Sequence, residues 1–215
     1  MGIGSNCAPE KKFLGSGDLP FGGLFRTHGE AQTACSGGDR TFLGHLLQTL
    51  GKFEDKVFPR LFVGQSDDLP GRAQAKADGG IWINNPQPEN GPLSSIWLAL
   101  ERLPPRKGFL LWPVDHPLVS SPTIDVLLNA ATEHPEELVV PSFEKRRGHP
   151  VIFPAWAAQE LRLAPLEKGA RWLIQRHPDK VLHINVKDRW VCGNLDTPEL
   201  LAEAERVLGL PVGSE

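Results

Sequence analysis

The side chain best placed for chemistry is Asp115, in W-P-V-D-H-P at residues 112–117. It directly follows the continuous apolar run G-F-L-L-W-P-V at 108–114, the pattern of a central parallel strand covered on both faces. Open α/β sheets bind ligands beyond the carboxyl ends of their strands. A carboxylate there can hold Mg²⁺ against nucleotide phosphates. The plainer alternative is an aspartate in a turn closed by Pro117. His116 is either a general base or a lining residue of that turn.

Three other groups of residues have types and spacings suited to a site. Asn84-Asn85-Pro86 leads through a polar loop to Gly91-Pro92-Leu93-Ser94-Ser95. A strand ending in amides, followed by a helix opening on hydroxyls and backbone N–H groups, can read a base edge or bind an anion. As a purely structural feature, Ser94 or Ser95 caps the helix. Arg146-Arg147-Gly148-His149-Pro150 gathers two cations, a glycine and an imidazole ahead of Val151-Ile152-Phe153, and suits an anionic substrate or a solvated hairpin. Gly193-Asn194-Leu195-Asp196-Thr197-Pro198-Glu199 is a good helix start, with Asp196 or Thr197 as N-cap and Pro198 in the first turn. Its functional version adds Asp196 or Asn194 as a second metal contact.

The elements that must position these groups follow from periodicity. Helices are expected over 41–52, 93–103, 122–133, 155–163, 170–175 and 198–208, and strands over 57–64, 80–84, 108–114, 137–140, 151–153 and 180–186. Strands alternating with helices imply βαβ units and a mostly parallel sheet flanked by helices, an α/β Rossmann-like fold. Pro113 should sit near the end of its ladder.

A formal charge of -3 carries no basic footprint, so nucleic acid is not an expected partner. Three cysteines (Cys7, Cys35 and Cys192) without a C-x-x-C pair argue against a disulfide scaffold and suit a reducing compartment. No apolar run is long enough to span a membrane, and residues 1–13 lack the apolar core of a signal peptide. A cytoplasmic protein with no membrane partner is expected.

The order of the groups is more specific than any one of them. N-P-x₄-G-x-x-S-S, then D-x-P after an apolar strand, then R-G-H-P-V-I-F, then D-T-P-E-L resembles the molybdenum-cofactor cytidylyltransferases and related MobA-like NTP transferases, from about residue 38 to 208. The resemblance implies a GT-A-like nucleotidyltransferase fold. It also implies transfer of CMP (or GMP) from CTP (or GTP) to a phosphorylated acceptor such as molybdopterin, with release of pyrophosphate. Mg²⁺ is the implied cofactor, and a molybdoenzyme or its chaperone the implied protein partner. Asp115 would hold the metal with Asp196 assisting; Asn85, Gly91, Ser94 and Ser95 would bind the nucleotide. His149 would serve the reaction from the side of the second substrate. The chain departs from the pattern at Asn194, where an acid is common, and at His116, where glutamine is frequent.

The largest departure is at the start. Relatives open with a strand and L-A-A-G-x-S-x-R-M-G-x-x-K, which nothing in residues 1–38 matches. That glycine-rich segment shows neither helix nor strand period, and is expected to be an aberrant or disordered stretch (1–37) ahead of the transferase domain (38–215). A one-base shift of the reading frame accounts for the loss. His28–Gly29 then permits only Met or Thr, and Glu30–Ala31 and Gln32–Thr33 permit only Lys or Arg. From Gly17 the allowed string includes V-I-F-L-S-A-G-x-S-G-R-M-G-K-P-K-L-L-V-P, the missing motif in register. A chain translated out of frame here should leave a vacant strand position beside the strand ending at Asp115. Two other outcomes are a cofactor-binding relative that has lost catalysis, and a transferase for another phosphorylated small molecule.

Overall fold

The computed structural model describes residues 21–26, 41–195 and 197–208. Among them one sheet of eight strands runs in the order β3-β2-β1-β4-β7-β5, with β8 on the outer side of β5 and the short β6 against its tip. The strands are β1 (Phe21–Arg26), β2 (Val57–Gly64), β3 (Ile81–Asn84), β4 (Gly108–Pro113), β5 (Leu138–Phe143), β6 (Arg146–Arg147), β7 (Val151–Phe153) and β8 (Val181–Asn185). The first four are parallel, as are β5 and β8, while β7 runs antiparallel to both β4 and β5. The expected mostly parallel α/β sheet is therefore present, with one reversed strand.

Helices cover both faces. On one lie α1 (Phe42–Leu50), α2 (Leu69–Ala77), α4 (Ser121–Glu133) and α7 (Pro198–Leu208), around Phe25, Phe62, Leu110 and Trp112. On the other lie α3 (Pro92–Leu100), α5 (Ala157–Leu161) and α6 (Arg171–Arg176), around Leu24, Leu61, Leu111 and Phe153. β4 is buried on both sides because its apolar residues are continuous. Leu110 and Trp112 enter one core, Phe109 and Leu111 the other. Pro113 ends the strand beside Arg26, where its missing N–H costs least. No helix among the described residues is long and apolar enough to cross a membrane.

The expected vacancy beside β4 is corrected here: β1 fills it, paired with β4 on one side and β2 on the other. Alternation explains why six residues suffice. Phe21 and Phe25 point into one core, Leu24 into the other, and the Phe25 and Phe62 rings stack at 4.8 Å. The two glycines that weaken a strand on propensity are required by space. A Cβ at Gly22 would meet the Leu103 side chain, and one at Gly23 would lie 2.6 Å from the Phe25 ring. The rest of 1–37 lies outside the described residues, as does any loop following β1.

Besides β1, two elements were absent from the periodicity. β6 is only two residues. Helix α2, L-P-G-R-A-Q-A-K-A, buries just Gly71 and Ala75 and so carries little apolar pattern. Its start does carry a signal: Asp68 Oδ1 accepts from Gly71 N at 2.9 Å, and Pro70 sits in the first turn.

Candidate active site

The chain passes from β3 over the opposite face to β4, which pairs with β1 on the side away from β2. The strand order thus reverses between β1 and β4, and a crevice opens beyond the carboxyl ends of such a pair. A cleft of about 1360 Å³ lies there, lined by Arg26 from β1 and by Pro113, Asp115 and His116 from the end of β4.

Asp115 is held by its surroundings. Its backbone carbonyl accepts from Leu195 N at 3.1 Å, and Val114 N donates to Arg26 O at 3.1 Å, extending the β1–β4 ladder to the site. The buried indole of Trp112 donates from Nε1 to His116 O at 3.0 Å. His116 Nδ1 lies 2.8 Å from Asp115 Oδ1. Only 8% of Asp115 and 5% of His116 remain exposed, so the pair sits deep in the cleft rather than on a surface turn.

The R-G-H-P segment reaches the same place through a break in the antiparallel strand formed by β6 and β7. Gly148 N donates to Pro141 O at 2.9 Å and His149 N to Val191 O at 2.7 Å. A side chain at Gly148 would collide with the Val191 carbonyl, so glycine is obligatory for this docking. The His149 ring meets the His116 ring edge-on, centroids 4.9 Å apart. Burial, then the neighbouring His116, pushes the His149 imidazole down to about 4, partly offset by Asp115, so it is neutral near pH 7. Its Nδ1 is buried with no hydrogen-bond partner among the described residues.

The Val191–Leu195 stretch ties these groups together. Val191 receives His149, Asn194 lines the cleft, and Leu195 holds Asp115. Three of the four sequence groups therefore converge on one cleft. Asp196 lies outside the described residues. The fourth group forms a separate cluster. Asn85 Nδ2 donates to Ser94 Oγ (3.0 Å) and Ser95 Oγ (2.9 Å), its Oδ1 accepts from Gln87 N (3.0 Å), and Ser94 Oγ donates to Gly91 O (2.7 Å). Asn85 is thus committed to pinning the loop before α3, whose Pro92 and Ile96 reach the cleft wall. Gly91 adopts φ 82°, in the region glycine favours.

Cations from three directions were missed by sequence reasoning. Arg26 stands at the end of β1, Lys145 in the β5–β6 turn, and Lys168 and Arg171 flank the start of α6. With Arg146 and Arg147 they leave Asp115 as the single carboxylate among the described lining residues. Glu144 and Lys145 both have positive φ (49° and 65°), forming a tight two-residue hairpin turn without glycine. The K-G-A-R stretch at 168–171, with Gly169 at φ 64°, is the one local signal that could have marked the α6 cations.

The donor set fits a hard divalent cation. Such ions are commonly held by one or two carboxylates together with substrate phosphates, and Asp115 offers a carboxylate in the same cleft as the Asn194 amide. No three His, Cys, Asp or Glu side chains among the described residues are grouped as an all-protein cage, which that mode of binding does not need.

Residues 26–181 match the MobA-like NTP transferase domain. The chain belongs to that family. It is a nucleotidyltransferase domain, and solved structures share its fold. Rv0371c from Mycobacterium tuberculosis H37Rv is 21% identical with a TM-score of 0.69, the match covering 89% of this chain and 98% of that one. A structure of Rv0371c in complex with manganese matches at TM-score 0.67, 21% identity, over 88% of this chain and 97% of that one. Molybdopterin-guanine dinucleotide biosynthesis protein A from Archaeoglobus fulgidus is 17% identical, TM-score 0.64, over 88% and 99% of the respective chains. No curated protein is significantly similar in sequence.

Proposed function

We propose that this protein transfers CMP or GMP from CTP or GTP to a phosphorylated acceptor of the molybdopterin type. The observation that carries this reading is the buried carboxylate of Asp115, the single one among the described residues lining a cleft whose other described charged residues are cationic. Cations answer two phosphorylated substrates, and a carboxylate among them answers a metal. An acceptor phosphate oxygen attacks the nucleotide α-phosphorus, the bond to the β-phosphate breaks, and pyrophosphate leaves with its electron pair.

Mg²⁺ bound at Asp115, with Asn194 or Asp196 beside it, would supply charge neutralisation at the transferring phosphoryl group. Manganese, present in the Rv0371c complex, fits the same oxygen donors. His116 holds the carboxylate in place through Nδ1. Asn85 positions the α3 loop against the nucleotide through Ser94 and Ser95, and Gly91 lets the backbone turn there. His149, neutral and facing His116, borders the acceptor side with Arg146 and Arg147. Catalysis is then mostly positioning and electrostatics.

The test is pyrophosphate release from CTP and from GTP with molybdopterin and Mg²⁺ or Mn²⁺. Release that depends on all components supports the reading; tight acceptor binding with no release under any combination overturns it. That second result is the one expected of a cofactor-binding relative, which the absent L-A-A-G-x-S-x-R-M-G-x-x-K motif favours.

A further inference from the structure

We propose that the Arg26 guanidinium holds the nucleotide's polyphosphate on the β1 side of Asp115, a role resting on the nucleotidyl-transfer reading above. Arg26 is the last residue of β1, its Cα in register with Pro113 of β4 and Val63 of β2. Three parallel strands therefore end around it. Alternation puts Arg26 on the face of Leu24, the face covered by α3, and Pro92 and Ile96 of that helix line the cleft together with Arg26. The sheet order sets it apart from the other cations. β1 lies on one side of β4, and the β5–β6 hairpin bearing Lys145, Arg146 and Arg147 lies on the other. Asp115 stands at the end of the strand between them, so an anionic group is met on each side.

The environment of Arg26 favours a polyanion. Burial pulls its guanidinium down to about 10, opposed by the charge of Asp115, so it stays protonated near pH 7 while partly desolvated. A planar guanidinium in such a place is suited to bidentate phosphate contact, stronger than the same contact in open water. This chain has no match to the family's phosphate-loop motif, and Arg26 is the cation that β1 brings to the cleft.

The experiment is calorimetric titration of the full chain and of Arg26→Met and Arg26→Lys with cytidine, CMP, CTP, GTP and pyrophosphate, in Mg²⁺. Expected is a loss of at least about tenfold in triphosphate and pyrophosphate affinity for Arg26→Met, the equivalent of one charge-assisted contact. Arg26→Lys should recover part of it, and cytidine binding should not change. A structural role would weaken nucleoside and triphosphate alike. Undiminished CTP, GTP and pyrophosphate binding by Arg26→Met overturns the inference and leaves the proposed activity standing. A native chain that binds neither triphosphate nor pyrophosphate overturns both. Should Arg26→Met not fold, Arg26→Lys decides: unchanged triphosphate affinity overturns the inference, and a selective loss supports it.

Discussion

His116 Nδ1 sits 2.8 Å from Asp115 Oδ1, and the His116 carbonyl is itself gripped by the indole of Trp112. One oxygen of the carboxylate is thereby fixed from the side, and the backbone of the turn from below. His116, one of the positions that depart from the common family pattern, thus acts on the one acidic group among the described lining residues of the cleft.

Replacing Asp115 by asparagine should remove metal-dependent transfer while keeping the fold. Asparagine keeps one oxygen able to accept from the His116 ring, but loses the charge and exchanges the second oxygen for an N–H donor. The expected result is a fall in rate on the order of 100-fold or more with little change in Tm. Native rates in that variant would reduce Asp115 to a turn residue.

His116→Gln and His116→Ala separate orientation from general-base chemistry. Glutamine can still donate to Asp115, so it should keep metal affinity, whereas alanine should weaken it by roughly tenfold. A general base would be lost in both variants, and pH-rate profiles of the two would then look alike.

Burial of a neutral His149 makes stability depend on pH. Unfolded, the imidazole takes a proton near its ordinary 6.5; folded, it resists until about 4. The stabilisation is therefore full above pH 6.5 and is lost as pH falls to about 4, amounting to roughly 3 kcal/mol at most. Urea melts between pH 4 and 7 should show a shallower slope for His149→Gln than for the native chain; equal slopes would place the titration elsewhere.

The sheet was legible where the sequence pattern was redundant. β4 carries five buried positions in succession, so it could be placed, and Asp115 with it. β1 has the same job with two glycines in its middle, and only the Leu103 and Phe25 side chains reveal why glycine belongs there. Helix α2 buries too little apolar surface to produce a period. In the site, the segments were recognisable but their meeting was not. The His149–Val191 hydrogen bond joins residues far apart in sequence and depends on Gly148 having no side chain. Asn85 was read as a nucleotide contact, yet its amide is engaged by Ser94, Ser95 and Gln87, a commitment that local sequence cannot show.

That commitment is measurable. Asn85→Ala removes three hydrogen bonds from a side chain 5% exposed and should cost about 2–3 kcal/mol of stability. Loss of the pinned loop should also raise the KM for CTP, whereas a change in KM without loss of stability would make Asn85 a direct ligand instead.

The segment before residue 40 gives the last prediction. Codon degeneracy permits V-I-F-L-S-A-G-x-S-G-R-M-G-K-P-K-L-L-V-P across residues 17–36 in the shifted frame, and β1 lies inside that stretch. Phe21–Arg26 fills the strand position between β2 and β4 that an out-of-frame segment was expected to leave vacant, and this counts against the shifted frame. Chemistry supplies the direct test. The shifted string brings glycines that let backbone N–H groups approach a triphosphate, together with an arginine and two lysines, where the present chain offers Arg26 as its β1-side cation. Removing a single preorganised donor from such a site costs about 100-fold or more in rate, so restoring several should raise turnover at least that much. The comparison is pyrophosphate release by the present chain and by one carrying the shifted segment, at equal concentration and in the same Mg²⁺. Equal turnover would mean that the present segment already supplies the phosphate grip, and the shifted frame would lose its physical motive.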